Sequence, residues 1–299
     1  MTDASTAESA ARAVLDIASR RAGLDPSRAE LMRLGENALY RLPGGVIARI
    51  ARPGQLAAAA REVAVARWLE ANEVDAVQAL PGIDQPVEVD GRAVTWWREL
   101  PPHRNGTALE VAGALRRLHD LPLPDFELGH LDPFVRLEDR IDRAVTLDLA
   151  DRDWMWQRLT ELQDRYASLP ERLLSASVVH GDAWIGNVVG TEDGRVVLLD
   201  LERCSVGPPE WDLVSTAVKA YTLAGISVED YQAFVKVYGY DVTGWDGFEI
   251  LRDIREFRMT CMAAQVAAEN PARHDEVMLR LACLRGERGP RPWRWTAVP

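Results

Sequence analysis

One stretch in the second half of the chain most constrains its fold. Residues 178–202 read VVHGDAWIGNVVGTEDGRVVLLDLE, and two β-branched runs in it flank the turn-forming segment GTEDG. This pattern predicts a β-hairpin. If the turn centres on Glu192 and Asp193, Asn187 lies opposite or next to Asp200 across the two strands. Directly opposed residues have Cβ atoms about 5 Å apart, so the hairpin brings an amide and a carboxylate together at its open end.

These side chains indicate phosphoryl-transfer chemistry. Amide and carboxylate oxygens, as in Asn187 and Asp200, are the ligands that a hard cation such as Mg²⁺ takes. Asp182 lies just upstream, in the loop that enters the hairpin, where its carboxylate could accept a proton from a substrate hydroxyl. A base and two oxygen ligands near one point fit phosphoryl transfer, because positioning and charge neutralisation account for most of that catalysis.

Composition and charge argue against several classes of protein. The net charge of −11 over 299 residues disfavours nucleic acid as a partner, since binding phosphates needs a basic surface. It could favour a cationic small molecule, although an acidic surface also simply keeps a protein soluble. No apolar run is long enough for a membrane span. The first residues lack the basic and apolar regions of a signal peptide, so we expect a cytoplasmic protein.

The chain is predicted to be an α+β protein with two parts. Residues 1–100 begin with a helical segment over the first 30 residues, followed by strand patterns and one long helical pattern. A hairpin in this part is predicted to turn at Asp90 and Gly91. Residues 101–299 have mostly helical patterns, with the hairpin described above as their strand-rich island. We therefore expect a small antiparallel sheet with one long helix, followed by a larger helical part.

The motifs along residues 178–213 resemble the catalytic core of the aminoglycoside phosphotransferases and related small-molecule kinases, distant relatives of the protein kinases. The pattern of that family is His-Gly-Asp, four residues, Asn, an apolar strand ending in Asp, then Gly-x-Pro and Asp before a helix. This sequence has HGDAWIGN, VVLLDLE and VGPPEWDL in that order. The resemblance implies a bilobal, protein-kinase-like fold, with a nucleotide-binding N-lobe over residues 1–100 and a catalytic, acceptor-binding C-lobe over residues 101–299.

The resemblance also implies roles for the residues of the motif. Asp182 would be the catalytic base that deprotonates the acceptor hydroxyl. Asn187 and Asp200 would hold Mg²⁺. His180 would brace the catalytic loop rather than act as a catalyst.

Three further residues are candidates for the substrate side of the site. Trp184 follows the predicted base by two residues, although an aromatic residue there could equally only pack. Glu202 is a candidate metal or substrate contact. Asp212 could contact substrate or brace the site, but it also fits the preference for acids in the first turn of a helix, here after Pro208 and Pro209.

Kinase-like small lobes need a strand-borne cation for the nucleotide phosphates and a helix-borne acid to hold it. Arg49 lies in the strand pattern VIARIA, where most relatives carry Lys, and Glu62 shares the apolar face of the long helix. An acid on an inward face is costly without a partner, so we expect Glu62 to pair with Arg49. The alternative is that Glu62 lies at the edge of the face and is solvated.

Other nucleotide contacts are expected from backbone segments. The sequence LGENALYRL lacks a full glycine-rich loop, and Gly35, Glu36 and Asn37 are the candidates for its shortened form. The backbone near Glu99 and Leu100 corresponds to the hinge that would hydrogen-bond an adenine edge.

Together these features predict an ATP- and Mg²⁺-dependent O-phosphotransferase that acts on a hydroxyl of a small molecule. The resemblance makes an antibiotic, such as an aminoglycoside, the first expectation for the acceptor. A metabolite kinase for sugars, amino alcohols or amino acids is the alternative, because a fold does not determine a substrate. A nucleotide-binding pseudokinase is the alternative of another class. The oligomeric state stays open.

Overall fold

The computed structural model describes residues 2–35, 37–169 and 174–296, with side chains from residue 6 onward. Glu36, one of the predicted loop residues, lies outside these ranges. Residue contacts divide the chain into two compact units. The first unit comprises Met1–Glu110, Pro124–Leu128 and Ile185–Cys204, and the second comprises Val111–Leu123, Gly129–Trp184 and Ser205–Pro299. The strands of the predicted hairpin thus group with the N-terminal residues, whereas the division at residue 100 assigns them to the C-terminal part. The nucleotide and acceptor assignments of the two parts stay predictions.

An antiparallel five-stranded sheet forms the centre of the first unit, in the spatial order β1-β2-β3-β5-β4. Its side chains alternate between buried and accessible positions along β2, because successive residues of a strand point to opposite faces. The strands are β1 (Glu30–Leu34), β2 (Ala38–Leu42), β3 (Val46–Pro53), β4 (Val87–Val89) and β5 (Arg92–Arg98).

The turn between β4 and β5 is the predicted one. Asp90 has a φ angle of 50° and Gly91 one of 72°. Positive φ at both central residues defines the tight hairpin turns that match the twist of the strands, and Asp-Gly is a preferred pair for them.

Two helices pack in the first unit, α1 (Thr2–Arg21) and α2 (Leu56–Ala71). One face of α1 carries Val14 and Leu15 into a buried cluster that also contains Ile50 and Trp96 of the sheet. The helical segment predicted for the first 30 residues is therefore part of the core of this unit.

The predicted hairpin is present as β8 (Val188–Thr191) and β9 (Val196–Leu198), with β6 (His103–Asn105) on the other side of β8. All neighbours in this small sheet are antiparallel. A single 3-10 turn, Leu201–Arg203, follows β9.

The second unit is mostly helical. Its long helix α8 packs against α4, α5, α6 and α9, and its two short strands form an antiparallel pair. The α+β prediction, with a helical C-terminal part, is confirmed. None of the described helices is long and apolar enough to cross a membrane. The elements are α3 (Ala108–His119, from Val111 in this unit), α4 (Leu137–Asp142), α5 (Leu149–Ala167), β7 (Ser177–Val179), β10 (Ser205–Gly207), α6 (Glu210–Tyr221), α7 (Val228–Tyr238), α8 (Phe248–Glu269) and α9 (His274–Leu284).

Candidate functional site

Arg49 is the strand-borne cation of the first unit. It lies in β3 opposite Thr95 of β5, and its Nη1 donates to both carboxylate oxygens of Glu62, at 2.6 and 2.7 Å. Glu62 lies on α2 and is only 4% exposed. The ion pair expected from the sequence is therefore present, and the alternative of a solvated Glu62 is wrong.

The rest of the Arg49 guanidinium is also engaged. Its Nη2 donates to Glu202 at 2.9 Å. In the amide orientation that satisfies both groups, the oxygen of Asn37 accepts from Nη2 at 3.0 Å and from Nε at 3.1 Å. The N–H of Gly35 donates to the backbone oxygen of Asn37 at 3.2 Å. All three nitrogens of the Arg49 guanidinium thus have acceptors, and Glu202 is a partner of Arg49 rather than an isolated carboxylate.

The charges around Arg49 are unbalanced. Burial, together with the carboxylates of Glu202 and Asp200, raises the pKa of Glu62 to about 7 against the opposing effect of Arg49. Burial alone would lower the pKa of Arg49, but Glu62, Glu202 and Asp200 together raise it. Three carboxylates therefore act on one guanidinium. The surplus negative charge is of the kind that a bound divalent cation offsets.

The two predicted metal ligands lie at the open end of the β8–β9 hairpin. Val188 pairs with Leu198, and the N–H of Leu199 donates to the backbone oxygen of Asn187 at 2.9 Å. Asn187 is therefore opposite Leu199 and next to Asp200, within the register predicted. Asp200 has a φ angle of 54°, a left-handed conformation that is uncommon outside glycine and is concentrated at functional sites.

The donor set at this hairpin fits Mg²⁺. Asn187 and Asp200 offer an amide and a carboxylate, both partly accessible. Within the described ranges, no three His, Cys, Asp or Glu side chains are grouped so as to hold a metal ion. Mg²⁺ commonly takes one or two carboxylates and completes its coordination with waters and nucleotide phosphates, so a full protein cage is not needed.

The predicted hinge has one backbone donor in use and one that is not. The N–H of Glu99 donates to the oxygen of Gly45 at 2.8 Å, and the carboxylate of Glu99 accepts from Arg41 at 2.7 Å. No described residue accepts a hydrogen bond from the N–H of Leu100. Of the two predicted hinge residues, Leu100 is therefore the one whose N–H could pair with an adenine edge.

In the second unit, Asp212 at the start of α6 organises the loop that precedes the hairpin. Its Oδ2 accepts from the N–H of His180 at 2.6 Å, and its Oδ1 accepts from the N–H of Gly181 at 2.9 Å. The indole N–H of Trp211 donates to the backbone oxygen of Gly181 at 3.1 Å. Two adjacent residues at the start of α6 thus bind both the N–H groups and a carbonyl group of the loop backbone.

Asp212 is itself held by a buried histidine. Nε2 of His119 donates to Oδ2 at 3.1 Å, and Nδ1 of His119 lies 2.9 Å from the hydroxyl of Tyr238. Burial alone would raise the pKa of Asp212, but His119, His180 and Arg255 together hold it below its ordinary value. Asp212 is completely buried and uses both oxygens internally. It cannot reach a substrate, so its place among the substrate-side candidates is not supported, and its bracing role is the alternative that the geometry favours.

Asp182 stands at the end of this braced loop. Its N–H donates to Nδ1 of His180 at 3.3 Å, which makes that nitrogen an acceptor and His180 a brace of the loop backbone. The side chain of Asp182 is 42% exposed, and its Oδ1 lies 3.8 Å from Nη1 of Arg255. Nη2 of Arg255 donates to the backbone oxygens of Gly181 and Trp211 at 3.3 and 3.1 Å. An accessible carboxylate on a fixed loop has the properties of a general base.

Trp184 lies two residues beyond Asp182, with 40% of its surface exposed. The ammonium of Lys219, in the last turn of α6, lies 4.2 Å from the centroid of its indole ring. A cation therefore lies over Trp184, which is one of the candidates for the substrate side of the site.

His119, Lys219 and Arg255 were not singled out from the sequence. For Lys219 a signal existed, since only Lys219 and Lys236 among the 35 basic residues are lysines. It also follows Asp212 by seven residues, which returns to the same helix face. His119 and Arg255 lie in ordinary amphipathic helices, and nothing in their local pattern distinguishes them.

Comparisons with known proteins identify a family for this chain. The model of a family described as the phosphotransferase enzyme family matches residues 34–251, which is more than half of the chain. A search of curated proteins found no match.

Solved structures of similar fold share little sequence with this chain. Choline kinase LicA from Streptococcus pneumoniae is 14% identical, with a TM-score of 0.59 over 85% of this chain and 93% of that one. An amicoumacin kinase in complex with AMP-PNP, Ca²⁺ and Ami is 16% identical, with a TM-score of 0.63 over 90% and 95%. The aminoglycoside phosphotransferase APH(3'')-Id from Streptomyces rimosus is 21% identical, with a TM-score of 0.57 over 80% and 96%. These structures are similar in fold.

Proposed function

The chain belongs to the phosphotransferase enzyme family, and from that premise we propose that it transfers the γ-phosphoryl group of ATP to a hydroxyl group of a small molecule. The observation that carries the proposal is the loop of Asp182. The backbone N–H groups of His180 and Gly181 are fixed by the buried carboxylate of Asp212, while the carboxylate of Asp182 is left accessible.

Asp182 is proposed as the base of the reaction. Its carboxylate accepts a hydrogen bond from the acceptor hydroxyl and orients the oxygen for attack on the γ-phosphorus. As the new O–P bond forms and the bond to the β-phosphate oxygen breaks, the hydroxyl proton passes to Asp182 and ADP leaves. Proton transfer of this kind contributes about 10²–10⁴-fold to rate. Arg255, whose Nη1 lies 3.8 Å from Oδ1 of Asp182, helps to position this carboxylate.

The first unit is proposed to hold the nucleotide. The N–H of Leu100 would pair with the base, and Arg49 would bind phosphate oxygens, a role for which a guanidinium is well suited. Asn187 and Asp200 would hold Mg²⁺, which when bound neutralises charge on the phosphates. In support, structural neighbours have been solved with AMP, with AMP-PNP and Ca²⁺, and with GDP.

Two acceptor classes follow from this proposal. An antibiotic acceptor is favoured by the family resemblance and by neighbours whose names include amicoumacin and aminoglycosides. A metabolite acceptor is favoured by neighbours named as choline kinases. The pseudokinase alternative has less support, since the base and both oxygen ligands of the motif are present.

The test is ADP release from ATP in the presence of Mg²⁺ across acceptors of both classes. We expect turnover that depends on one acceptor class and falls at least about 100-fold in Asp182→Asn. Asp139→Asn is the matched control, because the side chain of Asp139 on α4 is 72% exposed and makes only a 3.9 Å ion pair. Nucleotide binding without turnover by any acceptor would favour the pseudokinase, and equal activity of Asp182→Asn and Asp139→Asn would refute the role of the base.

A further inference from the structure

Lys219 is an unusual cation for its surroundings. Its ammonium lies over the indole of Trp184 at 4.2 Å. Within the part of the chain that the structure describes, no acceptor takes a hydrogen bond from it and no carboxylate forms an ion pair with it within 4.0 Å. A lysine that only keeps a surface soluble extends its ammonium into water. Lys219 is instead partly buried with its three donors available for a ligand.

The position of Lys219 on α6 relates it to the proposed base. Asp212, Ser215 and Lys219 follow one another at steps of three and four residues, so they share one helix face. Asp212 contacts the N–H groups of the loop that carries Asp182, and this face is therefore turned toward that loop. The hydroxyl of Ser215 on the same face is buried without a hydrogen-bond partner among the described residues.

Electrostatics agree with a role in binding an anion. Burial lowers the pKa of Lys219 to about 8, although the nearby Asp182 carboxylate opposes this effect. The lysine stays largely protonated at neutral pH, and its charge is poorly hydrated. A partly desolvated ammonium gains more from an incoming anion than one already surrounded by water.

Two carboxylates at the loop of the proposed base have partners other than Lys219. Asp182 has Arg255 at 3.8 Å, and Asp212 has His119 at 3.1 Å. The charge of Lys219 therefore adds to that of Arg255 beside the proposed base. An anionic group on the acceptor would be attracted to this ammonium, whereas the net charge of −11 left a cationic small molecule as one possibility.

We propose that Lys219, above the ring of Trp184, forms an oxyanion subsite for the acceptor, so that the substrate carries a carboxylate or a phosphate in addition to the hydroxyl that is phosphorylated. The part of Trp184 that stays exposed, 40% of its surface, supplies the apolar surface for the carbon skeleton of the acceptor. This inference rests on the proposed function, and it narrows the acceptor from any hydroxyl compound to a hydroxy acid or a phosphorylated polyol.

The experiment compares four sets of acceptors by ADP release at saturating ATP and Mg²⁺. The sets are hydroxy carboxylates, polyol and sugar phosphates, neutral polyols and sugars, and amino alcohols with aminoglycosides. We expect turnover with one of the two anionic sets, and which set is active identifies the oxyanion. For that acceptor, Lys219→Met should raise KM at least about 30-fold while KM for ATP changes less than about threefold, and Lys219→Arg should restore most of the loss.

Lys236→Met is the matched control. Lys236 is the other lysine of the chain, and it is exposed on α7, so its replacement should leave KM for the acceptor unchanged. If Lys219 instead acted only through the position or charge of Asp182, Lys219→Met would lower kcat for neutral and anionic acceptors alike. That result would refute the subsite. Turnover confined to cationic or neutral acceptors would also refute the subsite while leaving the phosphotransferase activity intact. A lack of turnover with all four sets would count against the proposed function itself.

Discussion

The buried contact between Asp212 and the catalytic loop gives a prediction whose size follows from the structure. Asp212→Asn preserves shape but replaces one carboxylate oxygen by an amide nitrogen. The carboxylate accepts three hydrogen bonds, from His180 and His119 on Oδ2 and from Gly181 on Oδ1. If the amide oxygen keeps the first two, the amide nitrogen faces the N–H of Gly181. That N–H is then buried opposite another donor.

The expected cost has two parts. Losing a hydrogen bond to a charged acceptor and leaving a buried N–H without a partner costs about 2 kcal/mol. The two remaining bonds weaken from charged to neutral, which adds about 1–2 kcal/mol, partly offset because a buried charge is removed. The free energy of unfolding should therefore fall by about 3 kcal/mol, which lowers the melting temperature by roughly 5–10 °C in a protein of this size.

The assay is denaturant unfolding of the protein, followed by tryptophan fluorescence, with Asp139→Asn as the exposed control. The control should change the free energy of unfolding by less than about 0.5 kcal/mol. Well below its melting temperature, Asp212→Asn should also lose at least about tenfold in kcat, because the loop of Asp182 is no longer held. An Asp212→Asn protein as stable as the control would show that these hydrogen bonds do not brace the loop.

Three further outcomes are expected. Glu202→Gln removes one ion pair of Arg49 and so makes its guanidinium more available to phosphate. Because the side chain of Glu202 is 36% exposed, this pair contributes only about 1 kcal/mol. KM for ATP should therefore fall by up to about fivefold in steady-state kinetics. Asp200→Asn should raise the Mg²⁺ concentration for half-maximal rate at least about tenfold in a metal titration. The raised pKa of Glu62, about 7, lies above its unfolded value, so its contribution to stability is present below pH about 4.5 and is lost as pH rises through about 7. In metal-free protein, the stability of wild type relative to Glu62→Gln should therefore decrease between pH 5 and pH 8 by denaturant unfolding.

Some of the candidate site could be predicted from the sequence because the signals are local. The register of the β8–β9 hairpin follows from β-branched runs on both sides of a short turn, so the neighbourhood of Asn187 and Asp200 was predictable. The ion pair of Arg49 with Glu62 was predictable for a related reason. An acid on an apolar helix face must find a buried partner, and a strand nearby in sequence carries a cation.

Other parts of the site have no local signal. Glu202 approaches Arg49 across 153 residues of sequence, and Arg255 approaches Gly181 across 74. From the sequence, Asp212 could be an acid that only favours the first turn of a helix, or one that holds the loop of Asp182. Its complete burial against two backbone N–H groups distinguishes these two roles. Likewise, the Lys219 pattern on α6 does not reveal that its ammonium lies over Trp184.

The sequence by itself therefore determined the α+β class, the hairpin and its register, and the family motif, because each depends on neighbouring residues and on the periodicity of strand and helix. The tertiary structure alone decided the rest of the charge arrangement: two further carboxylates join Glu62 around one guanidinium, and none of the described residues forms an ion pair with the ammonium beside the proposed base. The physical reason is that the energy of a charged side chain depends on which groups and how much water surround it. Those surroundings come from chain segments that are distant in sequence.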